Sequence, residues 1–169
     1  EHGENRPAWF QKNPDFDAEI SRRFKDGFEE AANGDYLSWT DSADGCLALI
    51  LLFDQFSRNM FRDDPKAFSA DGKARELARH MIDRGFYHAL PDFKKKFAIL
   101  PFEHSESLED QEYSVKLFRE FADEVAIDYA VRHYDIIKRF GRFQHRNAVL
   151  GRQSTEEELE FLKGPNSSF

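Results

Sequence analysis

The chain has 169 residues, 40% of them hydrophobic and 33% charged, which is the size and composition of one soluble globular domain. A net charge of −8 argues against a surface that binds nucleic acid or anionic membrane as a whole. Cys46 is the single cysteine, so no intramolecular disulfide can form and nothing indicates an oxidising compartment. The chain has no apolar run long enough to span a membrane. We therefore expect one cytoplasmic domain over residues 1–169.

The first helix signal follows a polar segment, 1–13, that we expect to be irregular. Asn13 precedes Pro14, which is a favoured pair at a helix start. An apolar residue then recurs every four positions at Phe16, Ile20, Phe24 and Phe28. Gly34 is expected to end this helix.

The tetrapeptide Ser-Ala-Asp-Gly occurs twice, at 42–45 and 69–72. Each copy offers a serine as N-cap and an aspartate for the first turn, where the helix dipole favours negative charge. We predict a helix over 43–61 after the first copy, and a second one that begins after Ser69 and stops at Gly85.

The remaining helix signals complete an all-α pattern. Predicted helices cover 91–100, ending near Pro101, then 107–123 and 125–140, ending at Gly141. Ser154 and Thr155, followed by three glutamates, open a last short helix as a capping box, and Gly164-Pro165 closes it. Strand signals are almost absent. We expect about seven helices in antiparallel pairs.

A basic and aromatic run at 133–152 is out of character with this acidic chain. It contains Lys138, Arg139, Arg142, Arg146 and Arg152, together with His133 and His145. Cations held among aromatic residues need a partner, which is either an internal carboxylate or an external anion. Residues 103–124 hold eight acidic residues against two basic ones, so we expect the two segments to lie side by side and neutralise each other.

The turn after Gly141 brings together the polar residues that this neutralisation leaves over. Arg142, His145, Arg146 and Asn147 follow one another there, and Arg139 lies one turn earlier. Arginine offers a planar donor fork that suits carboxylate or phosphate. A histidine between two arginines is expected to be neutral, and it could then accept a proton. The alternatives are an anion site or a set of internal ion pairs.

The predicted helix 43–61 has two polar pairs at a spacing of four: Asp54 with Arg58, and Gln55 with Asn59. Each pair can meet on one side of a helix. This patch is either a local salt bridge or a polar wall of a pocket.

Residues 103–106 place Glu103, His104, Ser105 and Glu106 beside a helix start. A carboxylate–histidine group could bind metal or perform acid–base chemistry, but the usual metal-ligand spacings are missing. We therefore expect no metal and no cofactor. In the alternative interpretation Ser105 or Ser107 caps the next helix. Motifs for phosphate loops, dinucleotides, nucleophilic serine and redox cysteine pairs are also missing.

Three stretches carry a resemblance to a known family: LALILLFDQFSRNMFR at 47–62, FAILPFEHSESLEDQ at 97–111, and the run from His133 to Leu162. They closely resemble the bacterial domain of unknown function 924, and the match extends over 9–169. That family usually starts earlier, with a Phe-Trp-Phe-like segment, and has proline where this chain has Gln144. The resemblance implies a fold similar to tetratricopeptide helix pairs and implies no established activity.

Our leading hypothesis is a binding domain with a polar pocket for a small anion, phosphate or carboxylate. The ligand-binding residues would be Asp54, Arg58, Asn59, His104, Glu106, Arg139, Arg142, His145, Arg146 and Asn147. The second hypothesis is a hydrolase with His104 or His145 as acid–base, and Glu106 as a further candidate. The third is a protein-interaction scaffold, and the fourth is an internal polar lock without a ligand. We do not expect nucleic acid as a partner, and a protein partner stays open.

Overall fold

A computed structural model describes residues 11–165 and residue 167. These residues form helices and connecting turns, and no strand occurs among them, so the all-α prediction is confirmed. Most of the segment 1–13 lies outside the described residues, and 11–13 carry no regular structure. No helix in the described residues is long and apolar enough to cross a membrane.

The helices form two compact units. The first contains the described residues up to Arg62 together with Lys66–Phe102, and the second contains Asp63–Pro65 and the described residues from Glu103 onward. The expectation of a single domain stays a prediction.

The first unit contains most of the helices. They are α1 (Pro14–Asn33), α2 (Ala43–Leu51), α3 (Ser57–Met60), α4 (Asp71–Asp83), α5 (Phe86–Ala89) and α6 (Asp92–Glu103), whose last residue belongs to the second unit. Short 3₁₀ turns occur at Leu37–Asp41 and at Pro65–Phe68, whose first residue belongs to the second unit. Apolar residues of α1, α2 and α4 form the core, where the rings of Phe28 and Phe53 lie 5.9 Å apart, edge to face. Cys46 is fully buried, as expected of a small apolar residue.

Several predicted helix ends are confirmed. The side chain of Asn13 accepts hydrogen bonds from the first turn of α1, and Gly34 ends that helix at a φ of 98°. Ser42 caps α2. Ser69 does not cap α4, because its hydroxyl donates to the carbonyl of Lys66 and the helix starts two residues later, after Ala70.

Two predicted helices differ from the structure. The expected helix 43–61 is interrupted by a π-helical turn, Leu52–Phe56, which separates α2 from α3. A π turn inserts extra chain into a helix and shifts the side chains that follow it. The predicted end near Pro101 is also wrong, since α6 continues to Glu103 with Pro101 inside it. Phe102 is fully buried, and burial of its apolar ring offsets the backbone hydrogen bond that proline cannot donate.

The second unit is built on α7 (Leu108–Phe118) and α8 (Glu124–Phe140), which pack against each other. Their short connection requires α8 to run back along α7. Gly141 ends α8 with a φ of 71°, and the chain then makes a 3₁₀ turn at Gln144–Arg146 before α9 (Glu156–Phe161). The predicted capping box is present at the start of α9, between Thr155 and Glu158.

Apolar residues from these elements form the core of the second unit. Ile136, Ile137 and Phe143 are buried together, with Phe140 and Phe161 packed against them. Arg142 directly follows Gly141 and is partly exposed, whereas the next residue, Phe143, is part of this core. The packing of Phe143 therefore holds the turn in place.

Candidate functional site

Phe143 is the centre of a polar cluster in the second unit. Glu106 accepts a 2.8 Å hydrogen bond from the backbone N–H of Phe143, and Arg152 donates a 3.0 Å hydrogen bond to the backbone carbonyl of Phe143. Glu106 and Arg152 also bind each other through two contacts of 2.7 and 2.9 Å. One ion pair therefore holds both backbone polar groups of Phe143 and fixes the start of the 3₁₀ turn.

The ring of Phe143 is fully buried, and three polar side chains lie beside it. The guanidinium of Arg146 lies 4.4 Å from its centroid, and the rings of His133 and His145 lie 5.5 and 5.6 Å away. A cation over an aromatic face is stabilised by the ring quadrupole. The buried ring is therefore the surface against which one arginine and two histidines are arranged.

Arg146 connects this ring to the segment before α7. Its Nη1 donates a 3.0 Å hydrogen bond to the backbone carbonyl of His104, and its side chain is buried. The ring of His104 lies 6.4 Å from that of His133. The structure thus brings together four residues expected at the site: His104, Glu106, His145 and Arg146.

The two histidines beside Phe143 are held neutral. Burial, with a smaller contribution from the charge of Arg146, lowers the pKa of His145 to about 4. Burial lowers the pKa of His133 to about 3, and the neighbouring charges act in the same direction. The expectation that His145 is neutral is confirmed, and its main cause is burial rather than the arginines alone.

His133 has a defined tautomer. Its Nδ1 lies 2.8 Å from the backbone carbonyl of Tyr129, which can only accept, so Nδ1 carries the proton and Nε2 is the acceptor. The same Nδ1 is 3.9 Å from Glu103, whose carboxylate is buried. His133, which was not among the expected site residues, therefore lies close to a buried carboxylate.

Glu106 stays ionised within this cluster. Burial by itself would raise its pKa, but the hydrogen bonds from Arg152 and from Phe143 N–H and the charges of Arg152 and Arg146 outweigh burial, so the pKa of Glu106 lies below its ordinary value. An acid with a lowered pKa does not hold a proton at neutral pH, so Glu106 is suited to positioning rather than to proton donation.

The other arginines of the basic run bind α9. Arg142 makes two hydrogen bonds to Glu158, of 2.6 and 2.7 Å, and Arg139 binds the exposed Glu157 at 2.8 Å. Arg152, through its pair with Glu106, joins the basic run to 103–124. Arg139 and Arg142, which were not expected to need partners in 103–124, bind acidic residues that follow them in the chain.

Asn147 binds residues at and just before the start of α9. Its amide nitrogen donates to Ser154 Oγ at 3.0 Å and to Glu158 at 3.3 Å. Since a carboxylate only accepts, these bonds fix the orientation of the amide and leave its oxygen available as an acceptor. That oxygen is buried and has no hydrogen-bond partner among the described residues.

Two further buried polar side chains, Gln144 and Ser114, were not among the expected site residues. Gln144 is 1% exposed, and neither its amide nitrogen nor its amide oxygen has a hydrogen-bond partner within the described part of the chain. The hydroxyl of Ser114, on α7, is in the same situation. Buried polar groups are paired in most proteins, so each exception needs a physical reason.

The helix start before α7 differs from the expectation. Ser107 is the N-cap residue, but its side chain makes no capping bond. Ser105 instead accepts from the N–H of Ser107 at 3.2 Å and donates to Asp110 at 2.6 Å. Among the described residues, no group of three histidine, cysteine, aspartate or glutamate side chains is arranged to hold a metal ion.

Asp54, Arg58 and Asn59 lie in the first unit and are occupied by contacts there. The predicted pair between Arg58 and Asp54 is present at 3.2 Å, and Arg58 also binds Asp71 at 3.0 Å. The predicted pair between Gln55 and Asn59 is wrong. Gln55 donates to Asp54, and Asn59 donates to Asp17.

The first unit also has a cleft of about 430 Å³ beside α1 and α4. Its charged residues include Glu29, Lys66 and Lys73. Lys66 binds Glu29 at 3.3 Å, and Lys73 donates to the carbonyl of Ala32 near the end of α1. These two contacts join α1 to Lys66 in the 3₁₀ turn and to Lys73 in α4.

Comparison with known proteins places the chain in a family. The model of the family described as "Bacterial protein of unknown function (DUF924)" matches residues 1–166. A solved structure of a protein of unknown function from Agrobacterium tumefaciens is 38% identical, with a TM-score of 0.89, covering 94% of this chain and 90% of that one. No curated protein matches the chain. The chain therefore belongs to the DUF924 family of bacterial proteins.

Proposed function

We propose that the second unit binds a small anion, a carboxylate or a phosphate, at the cluster around Phe143. The observation that carries the proposal is the buried guanidinium of Arg146, anchored to the carbonyl of His104 and stacked on Phe143. Its charge acts on three titratable neighbours: Glu106, His133 and His145. A guanidinium in a low-dielectric environment attracts an anion more strongly than one in water.

The partly exposed residues of the cluster provide access for a solute. His104, Glu106, His145 and Arg152 are half-buried, whereas Phe143 beneath them is fully buried. In this proposal Arg146, His104 and His145 contact the ligand. Arg152 and Glu106 position the turn.

Other residues that were expected to bind the ligand do not contact it in this proposal. Arg142, Arg139 and Asn147 hold α9, since each binds a group at the start of that helix or just before it. Asp54, Arg58 and Asn59 are not included, because their hydrogen bonds tie them to other side chains of the first unit. A cytoplasmic location belongs to the same proposal, and a protein-interaction scaffold stays a prediction.

Binding is better supported than acid–base catalysis. An effective general base has a pKa near the working pH. The pKa values of His133 and His145, about 3 and about 4, make both histidines weak bases at neutral pH. His133, which lies beside Glu103, is also only 3% exposed, so a substrate would have to displace the packing around it.

Thermal unfolding in a series of sodium salts tests the proposal. Acetate, phosphate and chloride would be compared at equal ionic strength. A site-bound anion at about 100 times its dissociation constant stabilises the fold by about 2.7 kcal/mol. We expect acetate or phosphate to raise the Tm above chloride, Arg146→Gln to abolish the rise, and Arg146→Lys to retain part of it.

Arg22→Gln is the matched control, because Arg22 is an exposed arginine paired with Glu19 in the first unit. It should keep the full rise. Equal Tm values in all three salts for the wild-type protein would contradict the proposal, and so would an unchanged rise in a folded Arg146→Gln protein, with folding checked by circular dichroism.

A further inference from the structure

Gln144 carries the most unusual side chain of the second unit. It is 1% exposed, and both its Nε2 and its Oε1 have no hydrogen-bond partner among the described residues. Leaving a buried donor and a buried acceptor unpaired costs folding free energy, so a chain that keeps such a group gains something from it.

The turn itself does not need the amide. The backbone carbonyl of Gln144 accepts from the N–H of Asn147 at 3.0 Å, which closes the turn without the side chain. The residue lies directly between Phe143, whose backbone is clamped by Glu106 and Arg152, and the pair His145 and Arg146. Gln144 therefore lies in the chain directly between the clamped Phe143 and two residues of the proposed site.

The unpaired atoms differ in chemistry from the arginines. Gln144 offers a donor and an acceptor, Asn147 offers an acceptor, and Ser114 offers a hydroxyl that can do either. A simple carboxylate accepts hydrogen bonds and could satisfy Gln144 Nε2. It could not satisfy Gln144 Oε1 or Asn147 Oδ1, which both require a donor.

We propose that Gln144 is a specificity-determining residue for a small carboxylate that also carries a hydrogen-bond donor, a hydroxyl or an amino group, next to its acid group. This inference rests on the proposed function. Arg146 would bind the acid group, and the amide oxygens of Gln144 and Asn147 would accept from the donor. A site built to pair a donor discriminates strongly against a ligand that lacks it, because its own polar atoms are then left unpaired.

Acetate, glycolate and glycine test this inference, since they share the carboxylate and differ by hydrogen, hydroxyl and ammonium at one carbon. The measured quantity is the rise in Tm relative to sodium chloride at matched ionic strength. We expect glycolate or glycine to require at least a tenfold lower concentration than acetate for the same rise. The one that does so identifies the donor as hydroxyl or ammonium.

Gln144→Met is the decisive variant, because methionine has nearly the same volume and no strong polar group. We expect it to raise the Tm without ligand, since two unpaired atoms are removed, and to abolish the preference for glycolate or glycine while the acetate rise stays. Gln144→Glu, which keeps the shape and adds a charge beside Arg146, should weaken all three ligands.

The outcomes separate this inference from the proposed function. If neither phosphate nor any carboxylate raises the Tm, the proposed function fails, and if phosphate alone raises it, the inference about Gln144 is wrong while the anion site stands. If all three raise the Tm equally, or if Gln144→Met keeps the preference, the carboxylate site stands and the role of Gln144 is wrong. A lower Tm of Gln144→Met without ligand, with its preference unchanged, would show that the amide is structural and would also overturn the inference.

Discussion

Arg142 and Glu158 form a two-point ion pair, with Nε–Oε1 at 2.6 Å and Nη2–Oε2 at 2.7 Å. The carboxylate is buried, and it also accepts from the N–H of Thr155 at 2.8 Å and from Asn147 at 3.3 Å. Two parallel N–H···O bonds fix direction as well as distance. Glu158 therefore joins the first turn of α9 to the turn that carries Phe143 and Arg146.

Glu158→Gln is expected to lower the free energy of unfolding by about 2–3 kcal/mol, because a hydrogen bond to a buried charged group is replaced by a weaker neutral one. The matched control is Glu157→Gln. Glu157 is the preceding residue, and its pair with Arg139 is exposed, so the change should cost less than about 1 kcal/mol. Urea unfolding measures both. Equal costs for the two variants would contradict the structural role of Glu158.

The same carboxylate predicts a pH dependence. The hydrogen bond from Arg142, with help from Thr155 N–H, lowers the pKa of Glu158 from 4.5 to about 2. A lowered pKa in the folded state means that the stabilisation is fully present above the unfolded value and is lost as the pH falls through the folded one. The difference in unfolding free energy between wild type and Glu158→Gln should therefore be constant from pH 7 to about 5 and shrink towards pH 2. A difference of the same size at pH 3 and pH 7 would rule this out.

The histidines of the cluster give a spectroscopic prediction. With pKa values of about 3 and about 4, His133 and His145 stay neutral down to about pH 5, although an ordinary histidine titrates near 6.5. Nitrogen-15 spectra of the side chains should show no titration of either ring between pH 8 and pH 5. His133 should show a protonated Nδ1, set by the carbonyl of Tyr129. A protonated Nε2 on a neutral His133, or a midpoint near 6.5, would contradict the geometry.

Glu106→Gln tests whether the clamp on Phe143 positions the proposed site. It weakens the pair with Arg152 and the bond from Phe143 N–H, and we expect a loss of about 1–2 kcal/mol in the free energy of unfolding. The rise in Tm with acetate should also fall, because the turn that holds Arg146 is less well fixed. Glu109→Gln, at an exposed position in the first turn of α7, is the control and should change neither quantity. A stable Glu106→Gln protein with an undiminished acetate effect would remove Glu106 from the site.

Helix existence and most helix ends could be predicted from the sequence, because they depend on local chemistry. Asn13, Ser42 and Thr155 cap helices through their own side chains, and Gly34 and Gly141 end helices through a positive φ. Ser69 shows the limit of this argument. Its hydroxyl has a closer acceptor in the preceding turn, and a residue pattern does not reveal which of two acceptors a hydroxyl reaches.

The partners of the basic run depended on tertiary structure and were therefore harder to predict. Charge counts favoured the segment 103–124, but the chain reverses after Arg152 and brings Glu157 and Glu158 to Arg139 and Arg142. Counting charges cannot detect that reversal. His133 and Gln144 were missed for a related reason, since their importance comes from burial and from the groups around them rather than from a motif.

The most direct test of the account is a set of crystal structures of the protein soaked in sodium acetate, sodium phosphate or sodium chloride. The account predicts difference density for acetate or phosphate within the second unit, with a ligand oxygen within about 3 Å of the Arg146 guanidinium. It also predicts loss of that density in Arg146→Gln and its presence in Arg22→Gln. Acetate and phosphate density confined to exposed lysines, with nothing beside Arg146, would contradict the proposal that this cluster binds a small anion.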